Sequence, residues 1–192
     1  MNPRHSEIIE LNRKEVKPAL GCTEPIAVAL AAAKAVEILE ERSNVSMRND
    51  KDLRIDVQVS ANILKNGMGV GIPGTGMVGL FIAAALGAVC GKSSYGLEVL
   101  QDFDEVSINK AKELVSKKYV RINLAETNKK LYIKAMVESA QIPGHQATAV
   151  IEDDHDNIAE IWYDNSLLAS SHRETAEEPQ KCTLDYGLTV KE

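Results

Sequence analysis

The residue best suited to chemistry is Cys22, which lies in the segment Gly21-Cys22-Thr23-Glu24-Pro25. An Ala-rich apolar stretch follows and predicts a helix, because Thr23 or Glu24 can cap it and a proline suits a first helical turn. The free N–H groups and the dipole at a helix start can lower the pKa of a thiol well below its ordinary value of about 8.5. Cys22 is therefore a candidate base or nucleophile. The alternative is a buried structural cysteine, the commoner role of a lone Cys.

A glycine-rich run forms the second candidate site. Five of the ten residues from Gly67 to Gly76 are glycine. Backbone amides in such a run can cradle an anion, and the start of the next helix adds its positive end. The run lacks the lysine and hydroxyl residue of a Walker A motif, and its Gly-x-Gly-x-x-Gly match contains Pro73. Lys65 and Asn66, just upstream, are suited to hold a carboxylate. The alternative is a tight structural turn.

The remaining histidines and cysteines give weaker signals. His155 lies in an acidic hairpin loop, and such loops are more often solvated than metal-binding. Cys90 follows an apolar helix and is predicted to be buried and inert, whereas Cys182 lies in a polar tail. There is no Cys-x-x-Cys pair, so the three cysteines do not by themselves predict a zinc or iron–sulfur site.

Hydropathy patterns predict an α+β fold in which buried Ala-rich helices pack on a mostly antiparallel sheet. After a weak helical pattern at 3–16, the pattern predicts one domain over residues 1–165 and a polar linker or tail over 166–192. The predicted helices cover 23–42, 78–89 and a segment from 104, and the predicted strands cover 53–60, 120–124, 131–137, 147–151 and 158–163.

Composition limits the classes of function. The net charge of −6 argues against a general nucleic-acid binder. No apolar stretch is long enough for a membrane span, and the first 20 residues do not resemble a signal peptide, so a cytoplasmic protein with no membrane partner is expected. The apolar segments 26–36 and 78–89 are predicted to expose more surface than a small sheet covers, which favours a homo-oligomer or a docked second half.

Four segments of the chain follow one another in a specific order and spacing. They are Pro18–Pro25, Lys65–Met68, Val70–Gly76 and Gly96–Leu100. Together they resemble the L-cysteine desulfidase family, which is related to the iron–sulfur L-serine dehydratase α chain. The resemblance extends from residue 1 to about residue 163.

The resemblance implies β-elimination without pyridoxal phosphate: L-cysteine gives pyruvate, ammonia and sulfide, or L-serine loses water. A [4Fe–4S] cluster would bind the leaving group, while Cys22 matches the family's proposed base. The implied catalytic residues are Cys22, Glu24 and Lys65. The implied substrate-binding residues are Thr23, Asn62, Asn66, Gly67, Gly74, Thr75, Gly76 and His155.

The chain also departs from the family pattern. Family members are longer and carry their cluster-binding cysteines in a helical second half, whereas Cys90 and Cys182 do not match those positions. The chain therefore resembles an N-terminal half that needs a second half or second chain. Alone, it is predicted neither to hold a cluster nor to turn over its amino-acid substrate.

Two other interpretations remain at this stage. In one, the chain is a non-catalytic, oligomer-forming module, in which residues 67–76 only form turns and Cys22 is buried. The other, a pyridoxal-phosphate lyase, is disfavoured because no cofactor-lysine context is evident. The sequence does not distinguish cysteine from serine as the substrate.

Overall fold

A computed structural model describes residues 9–10, 19 and 21–171, so most of the helical pattern at 3–16 and residues 172–192 lie outside it. The elements in chain order are α1 (Thr23–Ser43), β1 (Arg54–Val59), α2 (Ala61–Gly67), β2 (Gly71–Ile72), β3 (Met77–Val78), α3 (Leu80–Cys90), a 3₁₀ helix (Ser93–Glu98), α4 (Glu105–Ser116), β4 (Val120–Leu124), β5 (Tyr132–Glu138), β6 (Gln146–Glu152), β7 (Ile158–Tyr163) and β8 (Ser166–Ser170).

Six strands form one sheet in the order β4-β1-β5-β6-β7-β8, and β2 and β3 form a separate hairpin. Strands β1 and β4 are parallel, with Ile55 opposite Val120. The other neighbouring pairs are antiparallel. A parallel pair needs a long crossover, and here residues 60–119 supply it with three α-helices. The predicted α+β class with a mostly antiparallel sheet is confirmed.

Alternation along β1 determines which face of the sheet carries the core. Ile55, Val57 and Val59 are buried, whereas Arg54 and its alternate neighbours point to the opposite face. Helix α1 packs on the apolar face against β5 and β6. The same alternation continues in β5, where Ile133, Ala135 and Val137 are buried.

Helices α1 and α3 approach each other closely through small residues. A Cβ added at Gly87 of α3 would lie 2.1 Å from the carbonyl oxygen of Ala29 in α1. One added at Gly91 would lie 2.8 Å from the Cβ of Ala33. The sheet, α3 and the 3₁₀ helix thus surround α1, and α4 covers α3.

The predicted exposed apolar face on segments 26–36 and 78–89 is wrong. Apart from Lys34, which is half-buried, every residue in 26–36 is buried, and α3 is buried through most of its length. The two helices cover each other as well as the sheet. The expected homo-oligomer loses this support and remains a prediction.

The structure differs from the sequence prediction in three elements. Helix α2 was not predicted, and α3 begins at Leu80 because Met77 and Val78 pair with the preceding strand. Residues 166–170, predicted as the start of a tail, form β8 at the edge of the sheet. All of β8 is exposed, so it carries no buried alternation that sequence could reveal. Within residues 9–10, 19 and 21–171, no helix combines the length and apolarity needed to cross a membrane.

Candidate functional site

The first turn of α1 carries an exposed thiol–carboxylate pair. Cys22 is the N-cap residue, and its Sγ donates a hydrogen bond of 2.7 Å to Oε2 of Glu24. The cap is made without a side-chain hydrogen bond to the helix backbone. Cys22 is exposed, so the alternative of a buried structural cysteine is wrong.

Glu24 is the centre of this cluster, because side chains from three parts of the fold act on it. Nδ2 of Asn66, in α2, donates to Oε1 at 3.2 Å, and Oγ1 of Thr23 lies 3.5 Å from Oε2. His155, in the β6–β7 loop, acts on the carboxylate electrostatically. The structure thus brings together five residues that the sequence nominated in three separate segments: Cys22, Thr23 and Glu24, then Asn66, then His155.

The thiol pKa moves opposite to the sequence prediction. Partial burial raises the pKa of Cys22, and its hydrogen bond to the negative Glu24 carboxylate raises it further. The same hydrogen bond lowers the pKa of Glu24, helped by Asn66 and His155. The proton therefore resides on sulfur and the charge on the carboxylate. The predicted low-pKa thiolate is wrong because the helix-start argument omitted the desolvation of the thiol and the carboxylate two residues along.

Helix α2 presents further polar groups beside this pair. Asn62 and Asn66 are four residues apart and so share one face of the helix. Lys65 is exposed, and its ammonium has no partner in the described part of the chain. It is therefore available to an anionic ligand.

Two residues of the glycine-rich run that were expected to bind substrate have structural roles. Gly67 is buried, and a Cβ there would lie 2.3 Å from Cδ2 of Leu80, so Gly67 is a packing residue. Thr75 is buried, with its Oγ1 donating to the Ile72 carbonyl at 2.7 Å and accepting from the Met77 amide at 2.9 Å. Its hydroxyl fastens the β2–β3 hairpin, so Gly67 and Thr75 both have structural roles, and their expected substrate contacts remain predictions.

Gly74 and Gly76 remain available at the tip of this hairpin. Both are exposed and have left-handed φ angles, +76° and +67°, which favour glycine. A side chain at Gly74 would also lie 2.9 Å from the ring of Phe103.

An apolar cleft joins the hairpin to the start of α1. It has a volume of about 460 Å³. Its lining residues are Ala19, Gly21, Ile26, Ile72, Pro73, Leu100, Gln101 and Phe103. Gly21 and Ile26, which flank the thiol–carboxylate pair in sequence, line this cleft together with Ile72 and Pro73 of the hairpin. Sequence analysis missed the part of this wall formed by Gln101 and Phe103, which comes from the loop before α4.

The loop that holds His155 is fixed by its own contacts. Nδ2 of Asn157 donates to the Glu152 carbonyl at 2.9 Å. Nζ of Lys129 bridges the carboxylates of Glu152, at 2.5 Å, and Asp153, at 3.3 Å. The acidic charge near His155 is thus partly neutralised.

The described residues do not fit a [4Fe–4S] cluster. Sγ of Cys22 is hydrogen-bonded to Glu24 at the start of α1. Cys90 is the last residue of α3, and its Sγ donates a hydrogen bond of 3.3 Å to the Leu86 carbonyl. Over residues 9–10, 19 and 21–171, no three His, Cys, Asp or Glu side chains are grouped closely enough to hold a metal. Cys182 lies outside the described residues.

Searches for similar proteins give close relatives of greater length. The chain is 45% identical over 183 residues to a UPF0597 protein of Bacteroides fragilis, covering 95% of the chain and 40% of that relative. It is 46% identical over 197 residues to a UPF0597 protein of Phocaeicola vulgatus, covering 98% and 43%. A UPF0597 protein of Shewanella halifaxensis is 46% identical over 156 residues, covering 80% and 34%.

The chain therefore spans between about a third and about two fifths of the length of these relatives. No family model matches it. The names of these relatives mention neither a desulfidase nor a dehydratase, so the expected family rests on the motifs alone.

Proposed function

We propose that this chain carries the proton-transfer part of the active site of a β-eliminating lyase for a small L-amino acid, with L-cysteine and L-serine as the expected substrates. The observation that carries the proposal is the exposed Cys22–Glu24 pair, with Asn66 on its second carboxylate oxygen. The motif resemblance to the L-cysteine desulfidase family supports the choice of reaction.

The pair can accept one proton. In the free site the proton is on sulfur, so it must first pass from Sγ to Oε2 across the 2.7 Å hydrogen bond. The resulting thiolate removes the proton from the substrate Cα, which leaves a thiol and a carboxylic acid. The electrons of the broken Cα–H bond form the Cα=Cβ double bond, and the Cβ–S or Cβ–O bond breaks so that the leaving group departs with the electron pair of that bond.

The surrounding groups suit the recognition of an amino acid. The free ammonium of Lys65 can neutralise the substrate carboxylate, which makes the α proton easier to remove. The side-chain amides of Asn62 and Asn66 add hydrogen-bonding groups on the same helix. The apolar cleft next to the pair can exclude water from the reacting carbon. The implied cluster would polarise the leaving group when bound, and its ligands would have to come from outside the described residues, which do not fit it.

Exchange of the substrate α proton tests proton transfer separately from elimination. L-Serine is incubated with the chain in D₂O, and the loss of its Hα signal is followed by NMR. We expect catalysed exchange that Cys22→Ser and Glu24→Gln each slow by about ten-fold or more. Glu24→Gln slows it although it favours the thiolate in the free site, because glutamine cannot take the thiol proton across the hydrogen bond once substrate is bound. The matched control Glu41→Gln alters an exposed carboxylate at the other end of α1 and should leave the rate unchanged. Exchange that is absent, or faster in Glu24→Gln, contradicts the pair as the base.

Protection of Cys22 from alkylation tests binding separately. In a Cys90→Ser/Cys182→Ser background, L-serine should slow alkylation by iodoacetamide, whereas D-serine should not. Asn66→Ala should remove the protection, and Asn128→Ala, at an exposed loop position, should keep it. Equal effects of the two enantiomers would contradict an amino-acid site here.

A further inference from the structure

A second cleft lies at the parallel β1–β4 pair, outside the site described above. It is open, has a volume of about 340 Å³, and is formed by the start of β1, the α4–β4 turn and the end of β5. Its lining residues are Arg54, Ile55, Asp56, Lys117, Lys118, Tyr119, Arg121, Met136 and Glu138. The parallel pairing places the two strand starts together, and the Ile55 amide donates to the Tyr119 carbonyl at 2.9 Å.

Positive charge dominates this cleft in a chain whose net charge is −6. Arginine and lysine supply four cations to the lining, against the carboxylates of Asp56 and Glu138. Asp56 already accepts a hydrogen bond of 3.2 Å from Nδ2 of Asn123.

Arg54, Lys118 and Arg121 are exposed, and none forms an ion pair within 4 Å in the part of the chain that the structure describes. Glu138 and Asp56 lie opposite Arg54 and Arg121 in the sheet register, without direct contact between the charged groups. Lys117 differs, because its Nζ lies 2.9 Å from Oε1 of Glu113. Exposed cations that outnumber the carboxylates around a concavity are suited to an anion from solution.

Tyr119 orients two of the cationic groups. The guanidinium carbon of Arg54 and Nζ of Lys117 each lie 5.6 Å from the centre of its ring. Such cation–π contacts restrict the side chains, so less entropy is lost when a ligand binds. The planar guanidinium groups match the oxygen geometry of phosphate, and Met136 and Ile55 add apolar surface.

From this arrangement we infer that the cleft is a binding site for a small phosphate-bearing molecule, held by Arg54, Arg121 and Lys118. The volume is at the lower end of the range for small-molecule sites, which favours a compact anion over a polymer. The inference is independent of the proposed lyase chemistry.

Titration of the ¹⁵N-labelled chain with inorganic pyrophosphate tests the site. We expect saturable amide shifts at Arg54, Tyr119 and Arg121, and weakening of binding as sodium chloride is raised. Arg54→Gln/Arg121→Gln should weaken binding by about ten-fold or more. The control Arg42→Gln/Lys130→Gln removes the same charge at exposed positions outside the cleft and should change the affinity by less than about two-fold.

Further probes define the class of ligand. ADP should bind at the same residues, and adenosine, which lacks phosphate, should not. Citrate that binds as tightly as pyrophosphate would overturn the phosphate class. Equal weakening by the two double variants, or shifts centred on the start of α1, would overturn the site itself. Amide spectra of both variants establish that each one folds.

Discussion

Helix α1 has two parts in opposite environments. Its body lies between the sheet and α3, where Ala29 contacts the backbone of Gly87 and Leu30 is completely buried. Its first turn, only a few residues away, carries the exposed Cys22–Glu24 pair. The body has almost no freedom to shift, because a close-packed interior transmits strain.

The difference shows how one helix can stabilise the fold and position reactive groups. The buried body fixes the direction and rotation of α1, which determines where its first turn meets α2 and the β6–β7 loop. Pro25 and Ile26 of this turn are buried, but the Cys22–Glu24 pair contributes little apolar burial, so the pair can vary in charge with small effects on folding. Stability and chemistry are therefore expected to respond to different substitutions in the same helix.

The largest expected effect is that of a substitution in the buried body of α1 on the stability of the fold. Leu30→Ala should lower the free energy of unfolding by about 3 kcal/mol, because it removes apolar burial and leaves a cavity. The same change at Leu124, which is 60% exposed, should cost less than about 0.5 kcal/mol. Urea unfolding of both variants measures the contrast. Similar losses in the two variants would mean that the body of α1 is not the core.

Close approach of the two helices gives the second prediction. Gly87→Ala should cost about 1–3 kcal/mol, although alanine favours helices, because the new Cβ meets the Ala29 carbonyl and that backbone cannot move aside. Gly69→Ala is the matched control, since a Cβ there would meet nothing within 4 Å. Denaturant midpoints provide the comparison. If Gly87→Ala were the more stable variant, the helices would lie further apart than described.

Hydropathy patterns predicted the elements in which the apolar residues are the buried ones. Strand β1 was predicted over 53–60 and observed over 54–59, because alternate side chains enter the core. Helix α2 was missed because only Ile63 and Gly67 of its seven residues are buried, which gives no clear period. Strand β8 was missed because all its residues are exposed.

The candidate site was predictable in its members and not in its arrangement. Cys22, Glu24, Asn66 and His155 were all nominated, since each is a reactive or polar residue in a matching motif. Their assembly around Glu24 depends on tertiary contacts across more than 40 residues, which local patterns do not encode. The sequence nominated Thr75 as a substrate-binding residue, whereas its hydroxyl forms a hydrogen bond within the hairpin.

The smallest effect expected is electrostatic and concerns the exposed turn. Glu24→Gln removes the negative charge beside Sγ, so the pKa of Cys22 should fall and the thiolate fraction below that pKa should rise. Alkylation by iodoacetamide near pH 8, in the Cys90→Ser/Cys182→Ser background, should accelerate by about three-fold. The pKa should remain above that of a free thiol, because burial, the larger cause of the increase, is unchanged.

Glu41→Gln is the control for this measurement, since it removes one charge from the exposed end of the same helix. Its rate profile against pH should overlay that of the background chain, and its unfolding midpoint should match that of Glu24→Gln to within the small effects of surface substitutions. A profile for Glu24→Gln that also overlays the background would show that the Cys22–Glu24 hydrogen bond does not form in solution. A large loss of stability in Glu24→Gln would instead show that the first turn supports the fold, and the division of α1 into a structural body and a chemical end would then be wrong.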